Sequence, residues 1–388
     1  MSFGIYIQVP FCQTKCTYCN FHTGVVSSAR FAPYADAVRT NIREHRVRLA
    51  SEGIVLLESF ESLTVDTVYF GGGTPSLLDP AHLAAILGSI RETFRSEFRE
   101  VTLEADPETV ELAKAEAWAS AGIDRISFGV QSFSDVELKA AGRMHRREDV
   151  YRAVPILHAA GIRNISFDLI AGLPHQTPDS WRNSLDELIA LAPQHVSVYL
   201  LEVDEGSRLG SEILRGGSKY SASAVPSDDA MAESYDSARA SLAAAGYQHY
   251  EISNFAKPGF ASAHNLKYWR REPYLGFGAG AHSFSGAQRW ANAHDSAAYV
   301  QAIAAGRTPV EQLEEVSAHD ALEEELFLGL RQLAGIDLLH LQGSYGISVE
   351  DRFKPLESAG LVERTGSVVR LTPAHLSISN EVFVELLR

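Results

Sequence analysis

Cys12, Cys16 and Cys19 are the only cysteines in 388 residues, and they stand together as Cys-Gln-Thr-Lys-Cys-Thr-Tyr-Cys. Three thiols this close are spaced for one metal centre. An odd number in so short a run argues against a disulfide framework. Iron–sulfur clusters are held by cysteine thiolates in runs of this kind, usually four to a cubane cluster. With three, one iron of a 4Fe-4S cluster keeps a position open for another ligand. Zinc is the competing chemistry, because His22 completes a Cys3His set. Structural zinc, however, usually staples domains too small to build a core, and this chain is long enough to bury a large one.

Other residues of chemical interest stand at the ends of short apolar runs. Gly71-Gly72-Gly73-Thr74 has no lysine after it, so it is not a phosphate-binding loop of the Walker type. Its glycines let backbone approach a ligand closely. Glu104 and Asp168 offer carboxylates to an ammonium group or to ribose hydroxyls. Gln131 suits a ribose edge, and Arg143 suits a carboxylate, which a guanidinium grips with two parallel bonds. Beside an open iron, these groups describe a pocket for a small molecule that is part amino acid and part nucleoside. Each alone is more often structural. The run Gly276-Phe-Gly-Ala-Gly280 lacks the spacing of a dinucleotide loop. In His264-Asn-Leu-Lys-Tyr-Trp269 an imidazole stands beside two aromatics. Such a histidine is usually a hydrogen-bonded core residue, and it is also a type of side chain that ligates haem iron.

The elements that must position these groups alternate. Apolar runs at 3–9, 65–70, 101–103, 125–129, 164–167 and 195–200 read as strands. Helical stretches fall near 31–51, 108–121, 134–141, 147–160 and 178–191, and a further helix opens at Asp79-Pro80, with Asp79 as N-cap and Pro80 as its first residue. Six strands alternating with helices imply a parallel sheet. The cysteines, the glycine run, Glu104, Gln131 and Asp168 follow successive strands, as site residues do at the C-terminal face of a barrel. The expected fold is α/β, a partial (β/α)6 TIM-like barrel over residues 1–215. Residues 203–227, rich in glycine and serine, read as a flexible connection. An aromatic-rich extension is expected at 216–310, with a helix from 228 to 245 that has Asp228 near its N-cap. Residues 311–388 read as a small winged-helix-like α+β domain, with a helix capped by Ser317 and ending at Gly335, and a hairpin around Thr365-Gly366.

Composition narrows the partners. The formal charge is −15, a field that repels nucleic-acid backbones. Acidic residues also outnumber basic ones after 311, so the winged-helix-like region is not read as a DNA reader. No run is apolar and long enough for a membrane span, and the first residues lack the basic start and cleavage site of a secretory signal. A reducing cytoplasm is the expected location.

The Cys-x3-Cys-x2-Cys spacing with Tyr18, Gly-Gly-Gly-Thr-Pro and the strand-end residues resemble the radical S-adenosylmethionine (SAM) superfamily. Phe128-Gly-Val-Gln-Ser-Phe133, Gly142-Arg-Met-His145 and Gly172-Leu-Pro174 resemble the branch that contains oxygen-independent coproporphyrinogen III oxidases and haem chaperones of the HemW type. The resemblance covers nearly the whole chain. It implies a 4Fe-4S cluster on Cys12, Cys16 and Cys19, with the SAM amino and carboxylate groups on the fourth iron. It implies SAM contacts from Tyr6, Gly72, Gly73, Thr74, Glu104, Gln131, Arg143 and Asp168, and reductive cleavage of SAM to methionine and a 5′-deoxyadenosyl radical. Three features turn it toward the chaperones. Phe21 stands where the oxidase type has a further cysteine. The chain begins almost at its first strand. The 264–269 block is similar to the chaperones' haem-associated signature and implicates His264 in binding haem, with His282 second to it. The implied partners are haem and haem-accepting respiratory proteins, with transient membrane contact allowed and a monomer or homodimer as the assembly. Gln8 departs from the family's usual histidine. Whether SAM is cleaved in such a role is left open; coproporphyrinogen oxidation is the alternative activity.

Overall fold

The computed structural model describes residues 2–54 and 62–387. Six parallel strands lie side by side in chain order: β1 (Ser2–Val9), β2 (Thr64–Gly72), β3 (Ser96–Ala105), β4 (Arg125–Gln131), β5 (Asn164–Ala171) and β6 (His195–Leu200). Helices at Phe31–Ala50, Pro80–Thr93, Leu112–Ala121, Asp135–Ala140, Arg147–Ala159 and Pro178–Leu191 alternate with them. The α/β architecture expected from the sequence is therefore present. Asp79 caps its helix by accepting from the Ala81 N–H at 2.8 Å, with Pro80 following.

The strands have two chemically distinct faces. Ile5, Ile7, Val68, Phe70, Leu103, Ile126, Phe128, Phe167, Leu169, Val196 and Val198 are buried in one continuous core. The alternate positions, which a strand turns to its other face, are Gly4, Tyr6 and Gln8, then Thr67, Tyr69 and Gly71, then Thr102 and Glu104, then Arg125, Ser127 and Gly129, then Ser166 and Asp168, then His195, Ser197 and Tyr199. Register puts Tyr6 beside Tyr69, Glu104 beside Ser127 and Asp168 beside Ser197. The barrel is thus lined by polar groups and jacketed by apolar ones.

The sheet continues past these six strands. On one side, β7 (Gln248–Glu251) and β8 (Asn254–Ala256) form a hairpin that pairs antiparallel to β6. On the other, β9 (Tyr274–Phe277) pairs parallel to β1 and leads into β10 (His282–Phe284), β11 (Gln288–Asn292) and β12 (Val310–Glu315). The result is one sheet of twelve strands among the described residues. The 276–280 glycine run ends β9 and forms the turn after it. At Gly278, where φ is +103°, an added Cβ would come within 2.4 Å of the Gln8 carbonyl oxygen, so β1 and this turn pack backbone to backbone.

Two expectations need correction. The 203–227 connection is not a plain linker: it carries a helix at Arg208–Leu214 and a short 3-10 segment at Lys219–Ala224, and Leu209 and Ala222 are buried in a small core of their own. Leu209 and Ile213, four residues apart on one helix, pack into that core despite the surrounding serines and glycines. The Asp228–Ala244 helix is as expected, with Asp228 as its first residue directly after the cap Ser227, whose side chain accepts from the Ala230 N–H. The helix capped by Ser317 stops at Arg331, and Gly335, at φ +77°, opens the next strand instead. Beyond it β13 (Ile336–Asp337), β14 (Val362–Thr365) and β15 (Val368–Leu371) form a separate three-stranded sheet with helices against it, the winged-helix-like arrangement expected.

Candidate cluster and SAM site

The cysteines lie on the loop after β1, half-buried and free. Backbone bonds clamp this loop on several sides. The Cys12 N–H donates to the Gly24 carbonyl at 3.1 Å, and the Gly24 N–H to that of Pro10 at 2.9 Å. The Thr17 N–H donates to the Ala141 carbonyl at 2.9 Å, and the Leu209 N–H to the Thr17 carbonyl at 2.8 Å. Arg208 also donates to the Lys15 carbonyl. The segment expected to be a flexible connection is therefore a wall of the cysteine loop. No three His, Cys, Asp or Glu side chains among the described residues converge on a single-ion position. A cluster whose corners are separate irons takes one thiolate per corner and needs no such convergence. The His22 ring packs against His294, with centroids 4.1 Å apart.

Beside the loop, the glycine run ends β2. Gly72 has φ +110°, and an added Cβ there would lie 2.4 Å from the Gln8 side chain; at Gly73 it would lie 2.5 Å from the Phe11 carbonyl oxygen. Close approach to the cysteine loop is what demands glycine here. The donors are already used. Gly72 N–H goes to Glu104 Oε2 at 2.9 Å, Gly73 N–H to the Val9 carbonyl at 2.8 Å, and Thr74 N–H to the Phe11 carbonyl at 2.7 Å. With no amide donor left on residues 72–74, this turn is poor for a phosphate and suits a partner that brings its own donors, such as an amino group.

The acidic residues are kept apart in function by their surroundings. Glu104 accepts from Tyr69 Oη and from Gly72 N–H, each at 2.9 Å, and burial pushes its carboxyl up to about 7. Burial also raises Asp168, opposed by its bonds to Ser197 and Ser127 and by the Arg125 charge. Arg143 donates to Cys16 Sγ at 3.5 Å and to the Gly129 carbonyl at 2.9 Å, and pairs with Asp106. Asp106 in turn accepts from Thr74 Oγ1 at 3.1 Å. Asp106 escaped the sequence reading, although its place just past β3, two residues after Glu104, is the same signal. Tyr6 donates to Gln8 Oε1 at 2.7 Å, so Gln8 steers a hydroxyl in the barrel mouth. Gln131 adopts φ +65°, and its Oε1 is buried without a hydrogen-bond partner. A strained backbone and an orphaned amide at a strand end are what a site awaiting a polar ligand leaves behind. The cysteine loop, glycine turn and Gln131 fit a cluster and a nucleoside-bearing ligand side by side.

His264 is not brought into this group. Its ring is buried, with Nδ1 bonded to Thr67 Oγ1 at 2.9 Å and Nε2 to Tyr268 Oη at 2.8 Å. Burial holds the imidazole down at about 3, neutral at ordinary pH. Glu100 accepts from the N–H groups of Ala263 and His264 and so fixes the Ala263–Trp269 helix to β3. Thr67 precedes Gly72 by five strand residues, so this histidine sits roughly 16 Å down the barrel from the glycine turn.

Known proteins share this architecture. The Radical SAM superfamily model matches residues 6–188, and the HemN C-terminal domain matches residues 316–375. The chain is 34% identical over 384 residues to the heme chaperone HemW of Bacillus subtilis, covering 97% of each. It is 33% identical to the heme chaperone HemW of Mycobacterium tuberculosis, covering 95% of this chain and 91% of that one. It is also 33% identical to the mouse mitochondrial radical S-adenosyl methionine domain-containing protein 1, covering 87% and 75%. Among solved structures, coproporphyrinogen III oxidase (HemN) from Escherichia coli superposes with a TM-score of 0.84 at 21% identity, over 99% of this chain and 90% of that one, a likeness of fold. No helix among the described residues is long and apolar enough to cross a membrane. With near-full-length identity above 30% to several HemW proteins, a radical SAM barrel and the cysteine loop at its mouth, this chain belongs to the HemW family of the radical SAM superfamily.

Proposed function

We propose that the protein is a haem chaperone on a radical SAM scaffold, working in a reducing cytoplasm and passing haem to haem-dependent respiratory proteins. The observation that carries this reading is identity to heme chaperones along almost the entire chain, 97% of it for the Bacillus relative. Phe21, two positions after Cys19, agrees with it. Cys12, Cys16 and Cys19 hold the cluster in this reading, and Arg143 sets a cation beside Cys16. Gly72, Gly73 and Thr74 supply a close backbone wall, Glu104 accepts from the SAM amino group, and Tyr6, Gln131 and Asp168 orient the nucleoside. A bound cluster supplies the single electron for SAM cleavage; the residues bind, orient and exclude water. His264 keeps the barrel base closed, and it reaches an iron only if its bonds to Thr67 and Tyr268 open.

The test is anaerobic. Cluster-loaded protein receives SAM, a reductant and coproporphyrinogen III, and in parallel a haem charge with an apo-haem acceptor. Haem transfer without protoporphyrinogen is expected. Stoichiometric protoporphyrinogen makes the protein an oxidase and overturns the reading.

Glu104 gives a pH-dependent check. Its folded value of about 7 lies above that of a free glutamate. Its contribution to stability is therefore full below the unfolded value and is lost as pH rises through about 7. SAM binding that needs the carboxylate improves over the same rise. The ratio of wild-type to Glu104→Gln affinity for SAM, measured by anaerobic calorimetry, is expected to grow about tenfold from pH 6 to 8. Taking the ratio cancels titration of the SAM amine. A flat ratio removes Glu104 from the amino group.

A further inference from the structure

Resting on the chaperone reading, we propose that haem iron is taken by a surface cluster of imidazoles at the rim of the cysteine loop: His282, with His22 and His294. His282 and His294 belong to the β10–β11 hairpin, and His22 comes from the distant cysteine loop. His22 follows Cys19 by three residues, His282 opens β10, and His294 follows β11. The His22 and His294 rings lie with centroids 4.1 Å apart and tilted by 38°, and the segment carrying His282 pairs with the one leading to His294, with His282 opposite Ala291 and the Gly280 N–H donating to the Ala293 carbonyl at 2.9 Å. His22 and His282 are exposed, while His294 is half-buried. The Nδ1 of His294 is buried with no hydrogen-bond partner. A Cβ on Gly280 would come within 3.1 Å of that nitrogen, so the glycine turn presses on the ring without satisfying it. Nothing in the cluster and SAM site uses these side chains.

The arrangement selects its ligand. A bare cation needs three or more protein donors around one point, and no such trio of His, Cys, Asp or Glu occurs among the described residues. Haem iron already has four porphyrin nitrogens and asks the protein for one or two more. His22 and His294 cannot sit on opposite faces of one macrocycle, because their rings are in contact. One ring of that pair therefore supplies one face and His282 the other. The remainder of a haem site is also at hand. Phe21 beside His22 is 65% exposed, an aromatic surface for the macrocycle. Lys15, whose Nζ donates to the Phe21 carbonyl at 3.5 Å, offers a cation to a propionate.

The experiment is a ferric haem titration of the cluster-loaded protein, read by difference absorbance and by low-spin electron paramagnetic resonance. Low-spin, doubly imidazole-ligated haem is expected in the wild type. His282→Ala is expected to weaken haem about tenfold or more, a loss of at least ~1.4 kcal/mol, and to turn the iron high-spin. Added imidazole restores the low-spin signal. The double variant His22→Ala/His294→Ala does the same from the other face, while SAM affinity stays unchanged in all of them. Unaltered affinity and spectrum in the triple variant overturn this site but leave the chaperone reading standing. Absence of haem binding in the wild type overturns both.

Discussion

Serine in place of Cys12, Cys16 or Cys19 leaves a colourless protein. Iron content is expected to fall from ~4 atoms per chain to near zero in any single variant, with loss of the broad sulfur-to-iron absorption. The effect is all-or-none because three thiolates are already one short of a full set. A serine hydroxyl is a harder donor that stays protonated at neutral pH. The fold is expected to survive. The loop is held by backbone bonds from Gly24, Ala141 and Leu209 rather than by the thiols. Iron analysis after anaerobic reconstitution, beside far-ultraviolet circular dichroism, separates the two effects. A Cys16→Ser protein that keeps its full iron content excludes Cys16 as a ligand. Zinc bound in place of iron in the wild type revives the Cys3His chemistry.

Arg125→Met is expected to be the most damaging single change to stability. Arg125 is 1% exposed, and its Nη1 reaches Thr102 Oγ1 at 3.4 Å. Its charge is balanced by Glu100 and Asp168 through space, with Tyr69 and Tyr250 near. Methionine fills much the same volume, so the loss is electrostatic: two buried carboxylates keep no cation between them. Removing one partner of such an assembly costs about 3–5 kcal/mol. The deficit depends on pH. Asp168 already lies above the usual carboxylate range because of burial, and Arg125 is one of the forces opposing this. Without Arg125 it rises further, so the protonated form carries more of the folded state's stability. That stability is present at low pH and is lost as pH rises. The variant is therefore expected to lie closer to wild type at pH 5 than at pH 8, in urea denaturation. Adding Asp168→Asn recovers part of the loss at pH 8. A pH-independent deficit shows that packing, not charge, is what Arg125 provides. Because Glu100 also anchors the Ala263–Trp269 helix, the base of the barrel is where the damage spreads.

The sequence by itself determined the cysteine loop, the alternation of six strands with helices, and the placing of Gly72, Gly73 and Gln131 at strand ends, whereas β3 and β5 run on to Ala105 and Ala171 and so take Glu104 and Asp168 into the strands. These are local signals. Apolar runs, a capping Asp79 before Pro80 and residue types at short spacing depend on neighbours in the chain. The winged-helix-like end was legible for the same reason, since Ser317 and the Thr365-Gly366 turn each act within a few residues.

What only the tertiary structure decided is every relation across long stretches of chain. Alternation of apolar and polar residues marks two faces of β1–β6 but not which one lines the barrel. That Arg125 is buried between Glu100 and Asp168 follows from register among three strands. Asp106 became part of the site only when Thr74 and Arg143 were folded onto it. Leu209 and Arg208 became a wall of the cysteine loop, although their serine- and glycine-rich surroundings resemble a linker. β9 joined β1 across more than two hundred and fifty residues, which no local pattern encodes. His264 could be read from the sequence either as a core residue or as a haem ligand, and enclosure by Thr67 and Tyr268 made it a core group; His22, read beside the cysteines as a zinc donor, instead met His294 at the rim. Burial and pairing are properties of the closed sheet, and it is closure that sorts identical residue types into ligands, braces and lining.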